Sequence, residues 1–206
     1  MSVIIFDVEA TGLRPGHICQ LAYVTADERG VRGRNEFFAV PYMEPAAENV
    51  HHLSVEALEA LSGGRTFETV CWDVLRDFNE AEIVISHNYA FDSNFMRAEA
   101  GYAGAVYTAK GFCTMNRFRD LCRLPGLNGR YKNPKLDELA DHFRIDRARI
   151  PALTRRLFGT DQAVQHDARY DAALLCAVVA RAYASGAAGL DYPVLAQLDA
   201  LYSTKE

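Results

Sequence analysis

VIIFDVEATGL, residues 3–13, contains an apolar run of the length of a short buried strand, and Thr11-Gly12 is a turn signal at its far end. Asp7 and Glu9 lie two residues apart in this run, so their side chains point to the same face of the strand. Two like charges side by side at the end of a buried strand cost free energy unless a positive charge lies between them. A divalent cation meets that need, because hard cations prefer carboxylate oxygens. The alternative is that the strand ends here and both acids point into water.

Length and composition indicate one globular α/β domain. The chain has 206 residues, of which 50% are hydrophobic and 24% charged, which is enough for a sizeable core. No apolar run approaches the ~18–20 residues of a membrane span, and we expect no secretory signal and no membrane partner. Five scattered cysteines without a C-x-x-C pair are interpreted as small buried hydrophobes in a reducing cytoplasm, and a zinc site is not expected.

Charge is distributed unevenly along the chain. The net charge is −5, but residues 115–156 carry eleven Lys and Arg against five acids, a local charge of +6 on a remainder of −11. A basic segment on an acidic protein can bind phosphates, and Arg117, Arg130 and Lys132 are the candidates for such contacts. The alternative, which the residues alone favour, is the solvated face of a few helices.

The order of the predicted elements favours a mixed sheet packed by helices. Three strands come first, and helices then alternate with two more strands. Strands are predicted in the stretch quoted above and at residues 18–25, 36–40, 83–85 and about 106–114, with a loop over 41–49. Helices are predicted at residues 54–61, from 66 to about 78, and at 90–100, 116–122, 136–143, 168–184 and 194–201.

A second candidate group follows the predicted strand at residues 83–85. His87-Asn88 ends this strand, and Asp92 falls early in the next helix. An Asp in a first helical turn is normally explained by capping and the helix dipole, which contribute ~0.3–1 kcal/mol. For Asp92 alone this explanation is favoured over a metal ligand.

A third candidate group precedes the longest predicted helix. His166 and Asp171 are five residues apart, about 140° around a helix, so they do not share a helical face. They can meet only if His166 lies in the loop before the helix and Asp171 in its early turns, with Asp167 as the cap. A lone His at such a place is more often a capping or surface residue. Acids at several strand ends and helix starts, however, collect where ligands bind in α/β folds.

Together the three groups resemble the motifs of the DEDDh (DnaQ-type) 3′–5′ exonucleases of the ribonuclease H-like fold. Asp-x-Glu-x-Thr-Gly stands at residues 7–12, His-Asn-x-x-Phe-Asp at 87–92 and His-x-x-x-x-Asp at 166–171. The spacing in the third motif marks the histidine subclass. The resemblance implies a mixed five-stranded sheet flanked by helices and a single exonuclease domain over residues 1–206. Within the family, the sequence is similar to the proofreading subunit of bacterial DNA polymerase III and to related stand-alone exonucleases.

The resemblance also implies a two-metal hydrolysis of phosphodiester bonds. Two divalent cations, Mg²⁺ or Mn²⁺, would be held by Asp7, Glu9, Asp92 and Asp171 and would stabilise both the attacking and the departing oxygen. His166 would accept the proton of the attacking water, since an imidazole with a pKa near ~6.5 titrates close to working pH. The implied product is a 5′-nucleoside monophosphate released from a 3′ end.

Binding of the terminal nucleotide is expected at the end of the first motif. By similarity, the backbone at Thr11 and Gly12 would approach the 3′-hydroxyl, and Leu13 would pack against the terminal bases. The other substrate-binding candidates, for stacking or for holding the second motif by hydrogen bonds, are His52, Leu53, Phe91 and Asn88. For the leucines and the phenylalanine, ordinary core packing is an equal alternative.

The implied substrate is the 3′ end of single-stranded DNA, as in proofreading or repair. The first alternative keeps the chemistry and changes the substrate to RNA, as in a 3′-end trimmer or an oligoribonuclease, because the 2′-hydroxyl is sensed by geometry that a sequence does not display. A less favoured alternative is a non-catalytic, nucleic-acid-binding accessory subunit of a polymerase. A DNA polymerase partner and a homodimer both stay open.

Overall fold

The computed structural model describes residues 1–204 and has a five-stranded mixed sheet at its centre. The strands are β1 (Val3–Ala10), β2 (Ile18–Asp27), β3 (Gly30–Phe37), β4 (Ile83–Ser86) and β5 (Gly111–Cys113). Their order is β3-β2-β1-β4-β5; β1 pairs antiparallel with β2 and parallel with β4. The predicted α/β fold with a mixed five-stranded sheet is confirmed. The predicted domain also included residues 205 and 206, which lie outside the described residues.

The helices cover both faces of the sheet. They are α1 (Pro45–His51), α2 (Val55–Ser62), α3 (Cys71–Glu80), α4 (Tyr89–Tyr102), α5 (Thr114–Arg117), α6 (Arg119–Cys122), α7 (Leu136–His142), α8 (Ile150–Phe158), α9 (Ala168–Ala184) and α10 (Ala196–Ser203). Across residues 1–204, none of them is both long and apolar enough to span a bilayer. All five cysteines are free.

β1 separates two hydrophobic cores because its side chains alternate between the faces of the sheet. Val3 and Ile5 pack in the core that contains α9, while Ile4, Phe6 and Val8 pack in the core that contains α3 and α4. β1 is therefore covered on both sides. The carboxyl end of β1, where Asp7 and Glu9 take the place of apolar residues, lines a cavity.

Several elements differ from the predictions, among them the helix predicted at 116–122, which is divided into α5 and α6. The predicted loop at 41–49 contains the start of α1. Its first residue, Pro45, is favoured there because a backbone N–H at the first helical position would have no partner within the helix. α8 was not predicted; Pro151 lies in its first turn, where a proline is tolerated because the backbone N–H there has no partner within the helix. β3 begins at Gly30 instead of residue 36, because this polar segment is an edge strand held by pairing with β2. β5 is only three residues long.

Candidate active site

Asp7 and Glu9 extend the buried row of Val3 and Ile5 on the face of the sheet that α9 covers. Both side chains are partly buried, and between them Val8 packs into the opposite core. The prediction that the two acids share one face of a strand is confirmed. They do not point into bulk water, because the first turn of α9 lies over them.

α9 supplies the third acid of the cluster, Asp171. Asp167 caps this helix by accepting a hydrogen bond from the Arg169 backbone N–H at 3.0 Å, as predicted. His166 lies in the loop before the helix with a positive φ of 65°, and its backbone N–H donates to Asp171 Oδ2 at 2.9 Å. This left-handed turn brings two residues that are far apart around a helix to the same place, and the His166 side chain is exposed there.

Gln20 explains why α9 starts beside β1, and the sequence reasoning missed it. Gln20 lies on β2 directly opposite Glu9 and is buried. Its amide nitrogen donates to Asp167 Oδ1 at 2.9 Å, and its amide oxygen accepts from the Ala168 backbone N–H at 3.2 Å. One side chain thus binds both the cap and the first turn of α9. No motif signals this role, because a single Gln in a strand has no local pattern.

Asp92 approaches the same place from the other side of the sheet. β1 and β4 are parallel neighbours, so their carboxyl ends lie at the same edge, and α4 begins three residues after β4. Asn88 precedes α4 in a left-handed conformation, with a φ of 105°, and its carbonyl accepts the Asp92 N–H at 3.3 Å. The Asp92 side chain is buried and faces the cavity above β1.

Three of the four predicted metal ligands converge closely. Asp7, Glu9 and Asp171 each offer a carboxylate oxygen, and these oxygens lie within 4.8 Å of one another. Asp92 lines the same cavity of about 560 Å³ without belonging to that closest group. The chemistry of this donor set fits hard divalent cations, which are bound by several carboxylate oxygens at once.

The electrostatics of the four acids also favour a cation. Burial raises the pKa of Asp7 strongly, and the charges of Asp171 and Glu9 raise it further. Burial, and after it the Asp171 charge, raises the pKa of Glu9 to about 9. Burial raises the pKa values of Asp92 and Asp171 to about 7. Without a positive charge nearby, burial and mutual repulsion keep part of this group protonated at neutral pH, and a bound metal ion would take the place of those protons.

The far wall of the cavity comes from the loop before α7, which no sequence pattern indicated. His87 holds this loop: burial lowers its pKa, and the neutral ring donates from Nε2 to the Pro134 carbonyl and accepts at Nδ1 from the Thr114 hydroxyl, both at 3.0 Å. Lys135 and Gln165 line the cavity next to this loop. Lys135 is thus the basic residue of the 115–156 segment that lines the acid cavity.

A second, apolar pocket of about 320 Å³ adjoins the acid cavity. The two share Val8, Glu9 and Phe91, and the apolar pocket lies between the end of β1 and α1. Its lining residues are Val8, Glu9, Ala10, Gly12, Leu13, Glu44, Ala46, Ala47, Val50, His51 and Phe91. A nucleobase is a flat apolar group with a polar edge, and a pocket of this size and lining accommodates one.

Of the seven predicted substrate-binding residues, four line one of the two cavities and three do not. Gly12, Leu13 and Phe91 line the apolar pocket, and the Leu13 side chain is 83% exposed, which excludes ordinary core packing for it. Asn88 lines the acid cavity.

The remaining three lie outside both cavities. Thr11 is fully buried, and its hydroxyl accepts from the His17 backbone N–H at 3.3 Å. His52 is exposed in a left-handed turn, and Leu53 packs in a small core with Cys19 and Leu58. For Leu53, core packing is thus what the structure displays.

The three candidates of the basic segment also lie away from the acids. Arg117 stacks over Phe112, with 5.8 Å from its guanidinium carbon to the ring centroid. Lys132 pairs with Glu138, and Arg130 is exposed. None of the three lines the acid cavity.

Comparisons with known proteins agree with this geometry. A family model described as "RNase_T: Exonuclease" matches residues 4–179. No match was found among curated proteins. A solved structure of exonuclease I with bound product superposes with a TM-score of 0.65 at 15% identity, covering 89% of this chain and 43% of that one. E. coli exonuclease I in complex with a 5cy-dT13 oligonucleotide gives a TM-score of 0.67 at 14% identity, covering 98% and 43%. The chain therefore spans less than half the length of these structures, and the likeness establishes the fold.

Proposed function

The chain belongs to the RNase_T exonuclease family, and from this premise we propose that it is a metal-dependent 3′–5′ exonuclease acting on single-stranded DNA. Its products would be 5′-nucleoside monophosphates. The observation that carries this proposal is the convergence of Asp7, Glu9 and Asp171 from β1 and α9 on one cavity. Hydrolysis of a phosphodiester needs neutralisation of a developing negative charge, and uncompensated carboxylates bind the ions that supply it.

Four carboxylates hold the metal ions in this proposal. Asp7, Glu9 and Asp171 form the closest group, and Asp92 on the opposite wall completes the set. When bound, Mg²⁺ or Mn²⁺ would supply Lewis acidity and charge neutralisation at the scissile phosphate. The protein holds its part of the site rigidly, because β1 is covered on both faces and Gln20 fixes the start of α9. Rigid placement lowers the reorganisation needed in the transition state.

His166 is the proton acceptor in this proposal. Its backbone is held by the hydrogen bond to Asp171, whereas its exposed ring lines the cavity and is free to meet a water molecule there. General-base assistance of this kind contributes roughly 10²–10⁴ in rate.

The apolar pocket would receive the terminal base. Leu13 and Phe91 offer an exposed aliphatic and a half-buried aromatic face, and Gly12 lets the substrate approach the backbone closely. Structures of E. coli exonuclease I hold dA16 and dT13 oligonucleotides, which supports DNA as the first substrate to examine. RNA with the same chemistry is the alternative. Association with a DNA polymerase, a homodimer and a cytoplasmic location remain predictions.

The experiment is digestion of a single-stranded DNA with a 5′ label, with and without Mn²⁺ or Mg²⁺. We expect a ladder of shortening labelled strands only when metal is present, and no reaction when the 3′ end carries an inverted nucleotide. An RNA of the same sequence, run in parallel, decides between the two substrates. Release of a labelled mononucleotide as the first product would contradict the direction. Metal-independent cleavage, or cleavage retained in Asp7→Asn, would contradict the mechanism.

A further inference from the structure

Glu44 is a carboxylate beside the apolar pocket that the acid cluster does not account for. It directly precedes α1, yet its side chain makes no capping hydrogen bond with that helix. Among the residues that the structure describes, the Glu44 carboxylate has neither a hydrogen-bond donor nor an ion-pair partner. Because Glu44 lines a pocket whose other walls are mostly apolar, its two oxygens are available to a bound molecule.

The backbone of the first motif holds Glu44 in this place. The Glu44 backbone N–H donates to the Thr11 carbonyl at 2.9 Å, so the residue is tied to the end of β1. A Cβ atom built on Gly12 would collide with the Glu44 carboxylate. The position of the acid therefore depends on the absence of a side chain at residue 12, and a methyl group there would displace it.

We propose that Glu44 reads the terminal base by accepting hydrogen bonds from its Watson–Crick edge, with a preference for guanine. This rests on the proposed function, which places the base in the apolar pocket. An ionised carboxylate has acceptors only, so its partner must carry donors. Phosphate oxygens are acceptors and are repelled by it. The donors of a terminal nucleotide are its sugar hydroxyls and its base edge, and the base edge is the one that enters the pocket when the apolar walls contact the ring faces.

Guanine suits a carboxylate better than the other bases because its N1–H and N2–H groups are adjacent donors. Both oxygens of one carboxylate can be bound at once, and such charge-assisted pairs are the strong ones. Adenine and cytosine place an acceptor nitrogen next to their amino group, and thymine places carbonyl oxygens on both sides of its single N–H. A good bidentate contact discriminates by about tenfold or more. The expected order of terminal bases is guanine, then adenine and cytosine, then thymine.

The test compares oligonucleotides that differ only in the 3′-terminal base. For the wild-type protein we expect kcat/KM about tenfold higher for terminal guanine than for thymine, with hypoxanthine, which lacks the N2 amino group, between them. Glu44→Gln retains one acceptor and should lose most of this preference, and Glu44→Ala should lose all of it. Glu48→Gln removes the same charge one turn along α1, outside the pocket, and should leave the base order unchanged.

A binding measurement separates this inference from the proposed function. Equilibrium dialysis of deoxyguanosine and thymidine without metal should display tighter binding of deoxyguanosine to the wild-type protein and equal binding to Glu44→Ala. If no oligonucleotide is hydrolysed while this binding difference is found, the proposed function fails and the role of Glu44 stands. If hydrolysis occurs with the same base order in wild type and Glu44→Ala, the role of Glu44 is overturned. An effect of the variant on the RNA-to-DNA ratio alone would also overturn it, since the carboxylate would then contact the sugar.

Discussion

Replacing Asp171 by Asn should make the metal-free protein more stable while it abolishes hydrolysis. Asn has the shape of Asp, and its oxygen can still accept the hydrogen bond from the His166 backbone N–H. The substitution removes one negative charge from a group of buried acids whose pKa values are raised by burial and by one another. The main reason for the expected gain is that Asn removes a charge that is costly to bury, and relief of the repulsion on Asp7 adds to it.

The size of the gain follows from the pKa of Asp171, which burial raises from 3.8 to about 7. A rise of this size corresponds to at most about 4 kcal/mol, and water screening of the partly exposed side chain lowers it to about 2–3 kcal/mol. A carboxyl group with a raised pKa destabilises the folded state only at pH values at which the same group is ionised in the unfolded chain. The penalty is therefore small near pH 4, grows as the pH rises toward 7 and is complete above it. At pH 8 the gain should raise Tm by about 5–10 °C.

The assay is thermal unfolding in EDTA at pH 4.5 and pH 8, followed by titration with Mn²⁺ at pH 8. We expect the variant to melt higher than wild type at pH 8 and by a much smaller margin at pH 4.5. Mn²⁺ should stabilise wild type, by about 2.7 kcal/mol at a hundred times its Kd, and the variant far less. Glu28→Gln, in the exposed turn between β2 and β3, is the matched control for loss of one charge. A variant that melts at or below wild type at pH 8, or that responds equally to Mn²⁺, would refute the reasoning.

Four further substitutions test other parts of the structure. His166→Ala should lower kcat by about 10²–10⁴ and leave the Mn²⁺-induced shift of Tm intact; normal turnover at pH 7 would exclude it as the proton acceptor. Leu13→Ala should raise KM severalfold without changing Tm, because the side chain is 83% exposed; an equal KM would argue against a base contact. Gln20→Leu should lower both Tm and kcat, since the start of α9 loses its anchor on β2; an unchanged kcat would remove that positioning role. Gly33→Ala should cost about 1–3 kcal/mol in urea unfolding, because the new methyl group meets the Leu157 carbonyl of α8; an unaltered midpoint would mean that α8 can move.

Local patterns were sufficient wherever the deciding interactions lie within a few residues. The alternation of β1 places Asp7 and Glu9 on one face, since neighbouring strand side chains point in opposite directions. Ser54 caps α2 through its side chain at 3.1 Å from the Ala57 N–H, and Asp167 caps α9. The five-residue spacing to Asp171 required His166 to lie outside the helix, and it does.

The convergence of the acids, in contrast, depends on contacts between residues that are distant in the chain. Glu9 and Asp171 meet because α9 packs on the Val3 and Ile5 row of β1 and because Gln20, 148 residues before Ala168, binds the start of that helix. No local pattern encodes such a pair, since its energy comes from burial and hydrogen bonding across the sheet.

The walls of the two cavities were likewise visible only in three dimensions. Lys135 lines the acid cavity because His87 holds its loop, and Glu44 lines the apolar pocket because Gly12 leaves room for it. Both are ordinary charged residues in loops, where solvent exposure is the usual outcome. The motifs thus named the acids and the strand that carries two of them. Packing of α1, α9 and the loop before α7 around that strand's end decided which other side chains surround the acids, because close packing depends on shapes that no short stretch of sequence contains.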